Sequence, residues 1–262
     1  MKNDPLLARI VSMVFVLLVA GLMIVEARNE SQSDQNNQAL AEVNKMIAGR
    51  GDEPAERVFK NIEILRGKKA SRLPGMMSAL TGLLGVDCAH CHTPREWEKE
   101  TPAKQTARKH FDLLKVVDDQ LVIQPPGVTC WTCHRGSPQP EPPPASFRPT
   151  DEMRKQADQD KRPVEEVYKN IQSLKGVPAG RWMIIMTMFT RSLGVDCNYC
   201  HVQDKFELDD KPAKQTARKM LRMVGTVARE IYKGPTSINC YTCHRGQPRP
   251  VSLPPETPAK KQ

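Results

Sequence analysis

All eight cysteines of this 262-residue sequence fall into four Cys-x-x-Cys-His segments: Cys88 to His92, Cys130 to His134, Cys197 to His201 and Cys240 to His244. Residues i, i+3 and i+4 share a face on one helical turn. Two thiols at that spacing can form thioethers to the vinyl groups of a haem while the adjacent histidine reaches the iron. One such segment is a weak signal, because Cys-x-x-Cys also serves redox and zinc chemistry. Four of them, consuming every cysteine, predict four covalently bound haem c groups. The thioethers then fall at Cys88, Cys91, Cys130, Cys133, Cys197, Cys200, Cys240 and Cys243, with His92, His134, His201 and His244 as proximal ligands. A structural zinc reading would pair the thiols as two four-cysteine sites and leave the four histidines without a role. A disulfide framework leaves them equally unexplained.

The elements that position these segments are repeated along the chain, and repeats decide architecture before local patterning does. Glu56 to Ile62 reads ERVFKNI and Glu165 to Ile171 reads EEVYKNI. LGVDC at Leu84 returns at Leu193, PAKQTARK at Pro102 returns at Pro212, and TCHRG at Thr132 returns at Thr242. Two copies of one dihaem unit are therefore expected.

Each iron also needs a sixth ligand or stays open for chemistry. Met77 and Met186 both stand eleven residues before the first cysteine of their copy, which makes them the candidate ligands of the first and third irons; Met76 is the alternative in copy one. Twenty residues before the second motif of each copy stand His110 and Met220, the candidates for the second and fourth irons, with Met223 as a rival. Core packing is the competing role for every one of these methionines. Four filled irons describe an electron carrier and no enzyme; an open iron, most plausibly the second, would describe a multihaem reductase or peroxidase.

The fold class expected is mainly α, a multihaem c-type cytochrome of two dihaem units with little β structure, because no stretch alternates in the manner of a strand. Pro102 and Pro212 each open a basic amphipathic helix, since proline is tolerated in a first turn, and Thr101 is placed to cap the first. Ala179 to Leu193 reads as a buried helix ending near Gly194, whereas Pro74 and Gly75 predict a shorter counterpart in copy one. The boundaries expected are an anchor or signal over 1–27, a polar spacer over 28–55, units over 56–137 and 165–247, a linker over 138–164 and a tail over 248–262. A short helix is expected at Ala39 to Ile47 of the spacer. The Pro-rich and charged linker reads as an extended, semi-rigid connector.

Lys2 and Arg9 precede an uncharged apolar run from Ile10 to Val25. That order sends everything after Ala27 to the periplasmic side. The run is just short of the usual span of about 20 residues, so an uncleaved membrane anchor is favoured and a cleaved export signal is the alternative. The formal charge of +9 does not indicate a nucleic-acid partner, because four haems add roughly eight propionate charges that are ionised at neutral pH. With 39 % hydrophobic and 5 % aromatic residues, side chains alone make a thin core, which bound macrocycles would supplement.

From Glu56 to Gly246 the order of these pieces resembles the tetrahaem cytochrome subunit of bacterial photosynthetic reaction centres and related multihaem cytochromes. The resemblance rests on VFKNI and VYKNI, on a Met eleven residues before Cys-x-x-Cys-His, on the Ala-Arg-x-Met pattern and on TCHRG. It implies that Met77 and Met186 are iron ligands. It also implies a periplasmic protein that takes electrons from a soluble donor and re-reduces the photo-oxidised bacteriochlorophyll pair of a reaction-centre core; another membrane redox complex is the alternative partner. The sequence departs from the family at two points. The Ala-Arg-x-Met methionine serving the second haem is His110 here, and the loop histidine serving the fourth falls near Val122. Copy two has Met220 in its own ARKM, so each copy would supply its own ligands and the single bis-histidine haem would lie at the second motif.

Overall fold

The computed structural model describes residues 13, 33–121 and 127–255. Apart from Met13, the export segment expected over 1–27 lies outside the described residues, as does Val122. Among the described residues no helix is long and apolar enough to cross a membrane, and no strand forms, only isolated bridges such as Pro54 to Lys69 and Pro163 to Pro178. The longer helices are α1 (residues 33–47), α2 (Leu73–Leu84), α3 (Pro102–Gln120), α4 (Cys130–His134), α5 (Asp151–Ala157), α6 (Trp182–Leu193), α7 (Pro212–Glu230) and α8 (Cys240–His244). The chain packs as two compact units, Met1–Thr81 with Val86–Lys104, and Gly82–Gly85 with Gln105–Gln262.

The repeat is visible element by element. Helices α2 and α6 have 12 residues each, and α3 and α7 have 19 each. The shorter first helix expected from Pro74 and Gly75 is not found. Pro74 lies in the first turn of α2, where its missing N–H would have had no partner in any case, so it starts the helix instead of breaking it. Thr101 caps α3 as expected: its hydroxyl accepts from the Lys104 N–H at 3.2 Å and donates to the Cys91 carbonyl at 2.7 Å.

Two further expectations need correction. The spacer helix is longer than Ala39 to Ile47: all of the described residues 33–47 are helical. The charged half of the linker is also not extended: Asp151–Ala157 is helical, capped by the Thr150 hydroxyl accepting from Met153 N–H at 3.2 Å, with Asp151 and Glu152 in its first turn. A helix of this length shows too little apolar period to be read from sequence, and its stability comes from the cap and from burial of Ala157.

The side-chain core is small. In one unit Ala55, Leu65 and Leu73 form a cluster against which Phe59, Ile62, Met76 and Met77 pack. In the other, Val117 and Leu121 meet Val227, flanked by Leu113, Met220, Met223 and Tyr232. Each fully buried aliphatic side chain contributes about 1.5–3 kcal/mol. Apolar surface also stays outside these clusters: α6 is apolar from Trp182 to Met186, yet Met183 is 61 % exposed. It is therefore not the uniformly buried helix that its composition suggested.

The repeated glycines are explained by close backbone approach. Gly194 ends α6 with φ +64°, and a Cβ there would overlap the Gly246 carbonyl oxygen; the Gly246 N–H in turn donates to the Ser192 carbonyl at 2.8 Å. Gly85 meets Gly136 in the same way, with Gly136 N–H donating to Leu83 O at 3.1 Å. LGVDC and TCHRG recur together because the glycine of one docks on the glycine of the other. Gly194→Ala should lower the unfolding free energy by about 1–3 kcal/mol, from left-handed strain and overlap together. Gly49→Ala, at φ +74° with open space around it, should cost less; equal losses at the two positions in denaturant unfolding would contradict the docking argument.

Candidate functional site

The four motifs adopt two local conformations. In the second and fourth, Cys130–His134 and Cys240–His244 are single α-turns, each opened by a reciprocal capping box: Thr129 with Thr132, and Asn239 with Thr242. Their ends turn sharply at Arg135 and Arg245, which hold left-handed φ of 49° and 48°. In the first and third, Cys88–His90 and Cys197–Tyr199 are 3-10 turns. Each is opened by an aspartate side chain, Asp87 accepting from His90 N–H at 2.9 Å and Asp196 from Tyr199 N–H at 3.1 Å. In both kinds the two thiols and the histidine are carried on one turn, as the spacing required.

All four proximal histidines use one ring nitrogen identically. His92 Nδ1 faces the Trp97 carbonyl at 3.4 Å, His134 the Ser137 carbonyl at 3.0 Å, His201 the Phe206 carbonyl at 2.9 Å and His244 the Gln247 carbonyl at 2.9 Å. A carbonyl oxygen only accepts, so Nδ1 carries the proton and Nε2 keeps its lone pair, which is the tautomer a metal requires. Burial pushes His92, His134 and His244 below the ordinary histidine range, keeping the rings neutral. All eight thiols are free of disulfides.

These features fit covalently attached haem. So do the Arg135 Nε and Nη2 and the Arg245 Nε, buried and without a hydrogen-bond partner among the described residues, which an anionic oxygen would satisfy. The contacts made by Arg245 are internal: Nη2 donates to the Cys133 carbonyl at 3.0 Å and Nη1 to Glu141 at 3.2 Å.

The structure brings two sets of predicted residues together. His110 of α3 faces His134 of α4 with ring centroids 5.5 Å apart and planes at 43°, and its Nε2 lies 3.5 Å from the Tyr232 hydroxyl. Burial, and then His134, push His110 below its ordinary value. The Cys133 and Cys243 sulfurs lie 2.6 Å apart, which places the second and fourth motifs side by side. Met77 packs on the Leu65 and Leu73 cluster, Met220 on that of Val117 and Val227, and Met186 is half-buried on α6. Met76 and Met223 join the same two clusters.

Two basic residues of the second PAKQTARK helix are enclosed by the fold. In copy two, Lys214 is 9 % exposed and Arg218 is 7 % exposed. Lys214 Nζ donates to the carbonyls of Phe206, Glu207 and Leu208 at 2.7–3.0 Å. Arg218 reaches Asp209 at 2.8 Å and the Asn170 carbonyl at 3.2 Å. Asn170, held at φ 58°, donates its amide to the Glu207 carbonyl and to Asp209. In copy one Asn61, at φ 59°, does the same to the Glu98 carbonyl and Glu100. The KNI and PAKQTARK repeats thus converge on the loop that follows the proximal histidine. Their recurrence was the available signal; what it held in place was not visible without the fold.

Arg218, and then Lys214, hold the Asp209 carboxyl well below the usual carboxylate range. A carboxyl depressed in the folded state contributes stability above its ordinary pKa of about 4, and that contribution is lost as pH falls toward the folded value. Asp209→Asn should therefore destabilise the protein at pH 7, with the difference from wild type shrinking below about pH 4; a pH-independent difference in thermal unfolding would rule the carboxylate out as the cause.

The family model for the photosynthetic reaction centre cytochrome C subunit matches residues 16–152 and, a second time, 144–261. The photosynthetic reaction center cytochrome c subunit of Rubrivivax gelatinosus is 25% identical over 260 residues, covering 78% of this chain and 70% of that protein. The subunit of the same name from Thermochromatium tepidum is 38% identical over 90 residues, 32% of this chain and 22% of that protein. Cytochrome c-554 of Chloroflexus aurantiacus is 35% identical over 86 residues, 30% of this chain and 20% of that protein. The chain thus spans about a fifth of the length of the last two relatives. Two consecutive matches to one family model are what an internally duplicated unit produces, and between them they cover nearly the whole sequence; the chain belongs to the photosynthetic reaction centre cytochrome c subunit family.

Proposed function

We propose that this chain is a tetrahaem electron relay that re-reduces the photo-oxidised bacteriochlorophyll pair of a photosynthetic reaction centre. The observation that carries the relay is the common geometry of the four proximal histidines, each with Nδ1 committed to a backbone carbonyl and Nε2 free for iron. The family and the names of its relatives support the photosynthetic partner.

Bound haem c supplies reversible one-electron chemistry at each motif. The eight cysteines hold it covalently, so the relay cannot lose its cofactors to dilution. His92, His134, His201 and His244 ligate from one side. Met77, His110, Met186 and Met220 would supply the remaining ligand of each iron and so close it to exogenous ligands. The His110 and His134 pair supports the bis-histidine assignment at the second site, where nitrogen ligation favours a lower potential than a thioether does. The closeness of Cys133 to Cys243 supports the second and fourth attachments being neighbours in the relay. The chain acts on the periplasmic side, tethered by the apolar run of Ile10 to Val25 or released by its cleavage, and takes electrons from a soluble donor.

Haem quantification by the pyridine haemochrome method should return four haems c per chain. His110→Ala should convert one low-spin haem to high-spin and open it to carbon monoxide, whereas the wild type binds carbon monoxide slowly or not at all. An unchanged electron paramagnetic resonance spectrum in that variant would remove His110 from the ligand set. In pigmented membranes of the source cell a light flash should oxidise the protein; full retention of the reduced spectrum would redirect the relay to a respiratory partner.

A further inference from the structure

Two of the four proximal histidines share their carbonyl with a lysine. The Phe206 carbonyl oxygen accepts from His201 Nδ1 at 2.9 Å and from Lys214 Nζ at 2.8 Å. The Trp97 carbonyl oxygen is approached by His92 Nδ1 at 3.4 Å and accepts from Lys104 Nζ at 2.6 Å. Both lysines stand at the same position of the repeated PAKQTARK, and both are wrapped by the loop that follows the histidine. Lys104 also donates to the Lys99 carbonyl at 2.6 Å, and Lys214 to the Glu207 and Leu208 carbonyls at 3.0 and 2.7 Å. The second and fourth histidines use a different acceptor, Ser137 or Gln247, three residues on in the motif's own turn.

The chemistry of a shared carbonyl has a definite sign. An imidazole N–H donated to a good acceptor gains imidazolate character and becomes a more basic ligand, which stabilises the oxidised metal. An ammonium group on the same oxygen draws its electron density away and weakens it as an acceptor. Its full charge, in a partly desolvated loop, also disfavours the extra positive charge of the oxidised centre. Both effects act in the same direction. The longer His92 contact, beside the shorter lysine bond, is the geometry such competition produces.

We propose that Lys104 and Lys214 are positioning residues that raise the reduction potentials of the first and third haem centres through the carbonyls they share with His92 and His201. The duplicated motif thereby sets two of the four centres above the level their ligands alone would give. The inference deepens the relay reading and rests on haem attachment at those two motifs.

The test is a spectroelectrochemical titration of the holoprotein. Lys214→Gln should move one of the four redox waves downward by roughly tenfold in the reduced-to-oxidised ratio at fixed potential, about 59 mV for a one-electron couple. Lys104→Gln should move a different wave by a similar amount, the double variant both, and Lys214→Arg should restore the wild-type position. Haem content and the low-spin spectrum should not change in any of them. Four unmoved waves with haem content and spin state intact would overturn the proposal, and so would four waves shifting together, which marks a general structural effect. If Lys214→Gln fails to accumulate, Lys104→Gln in the other repeat decides alone. Fewer than four haems in the unsubstituted protein would count against the relay reading itself and is distinguishable from either result.

Discussion

A histidine can bind a metal only in one tautomer and one orientation, and in all four Cys-x-x-Cys-His turns both are set by a single hydrogen bond from Nδ1–H to a main-chain carbonyl. An imidazole free to rotate or to protonate at Nε2 would present iron with no lone pair. The carbonyl must therefore be held in place before the cofactor arrives, and a loop carbonyl is not rigid by itself. In copy two Asn170, Asp209 and Arg218 hold the loop, binding one another and the Glu207 carbonyl, and Lys214 donates to three of its successive carbonyls. Buried charges of this kind are tolerated because each is paired or hydrogen-bonded. The buried faces of α3 and α7 that carry them would otherwise have no reason to be basic.

The motifs solve the same problem in two ways. Where the acceptor lies three residues past the histidine, the turn closes on itself, and a left-handed Arg135 or Arg245 makes the reversal. Where it lies five residues past, the loop is longer and needs anchors from distant segments. That division explains why the first and third motifs are accompanied by KNI and PAKQTARK, whereas the second and fourth need only a capping threonine within the motif. Duplication copied both devices, and the copies diverged directly after PAKQTARK: His110 occupies the place where copy two has Met220.

The protein holds this apparatus with little side-chain core. Two small aliphatic clusters and two glycine-on-glycine contacts do much of the packing. Apolar surface on α6 that a globular helix would bury stays exposed, Met183 and Met188 among it.

The local form of the motifs was legible in the sequence, because it depends on residues within one turn of each other: a Cys-x-x-Cys-His segment carries two thiols and a histidine on one turn whatever the rest of the chain does. The helical class, the proline-opened α3 and α7, the Thr101 cap and the Gly194 stop were legible for the same reason, each being a local rule. Pro74 misled, since a first-turn proline starts a helix as readily as it shortens one, and the helix at Asp151–Ala157 was too short to declare a period. Only the tertiary structure decided what Lys104, Lys214, Arg218 and Asn170 are for. Their partners lie up to 48 residues away or on main-chain oxygens that no side-chain pattern encodes. A basic residue facing solvent and one enclosed by carbonyls read alike until the loop is folded around it.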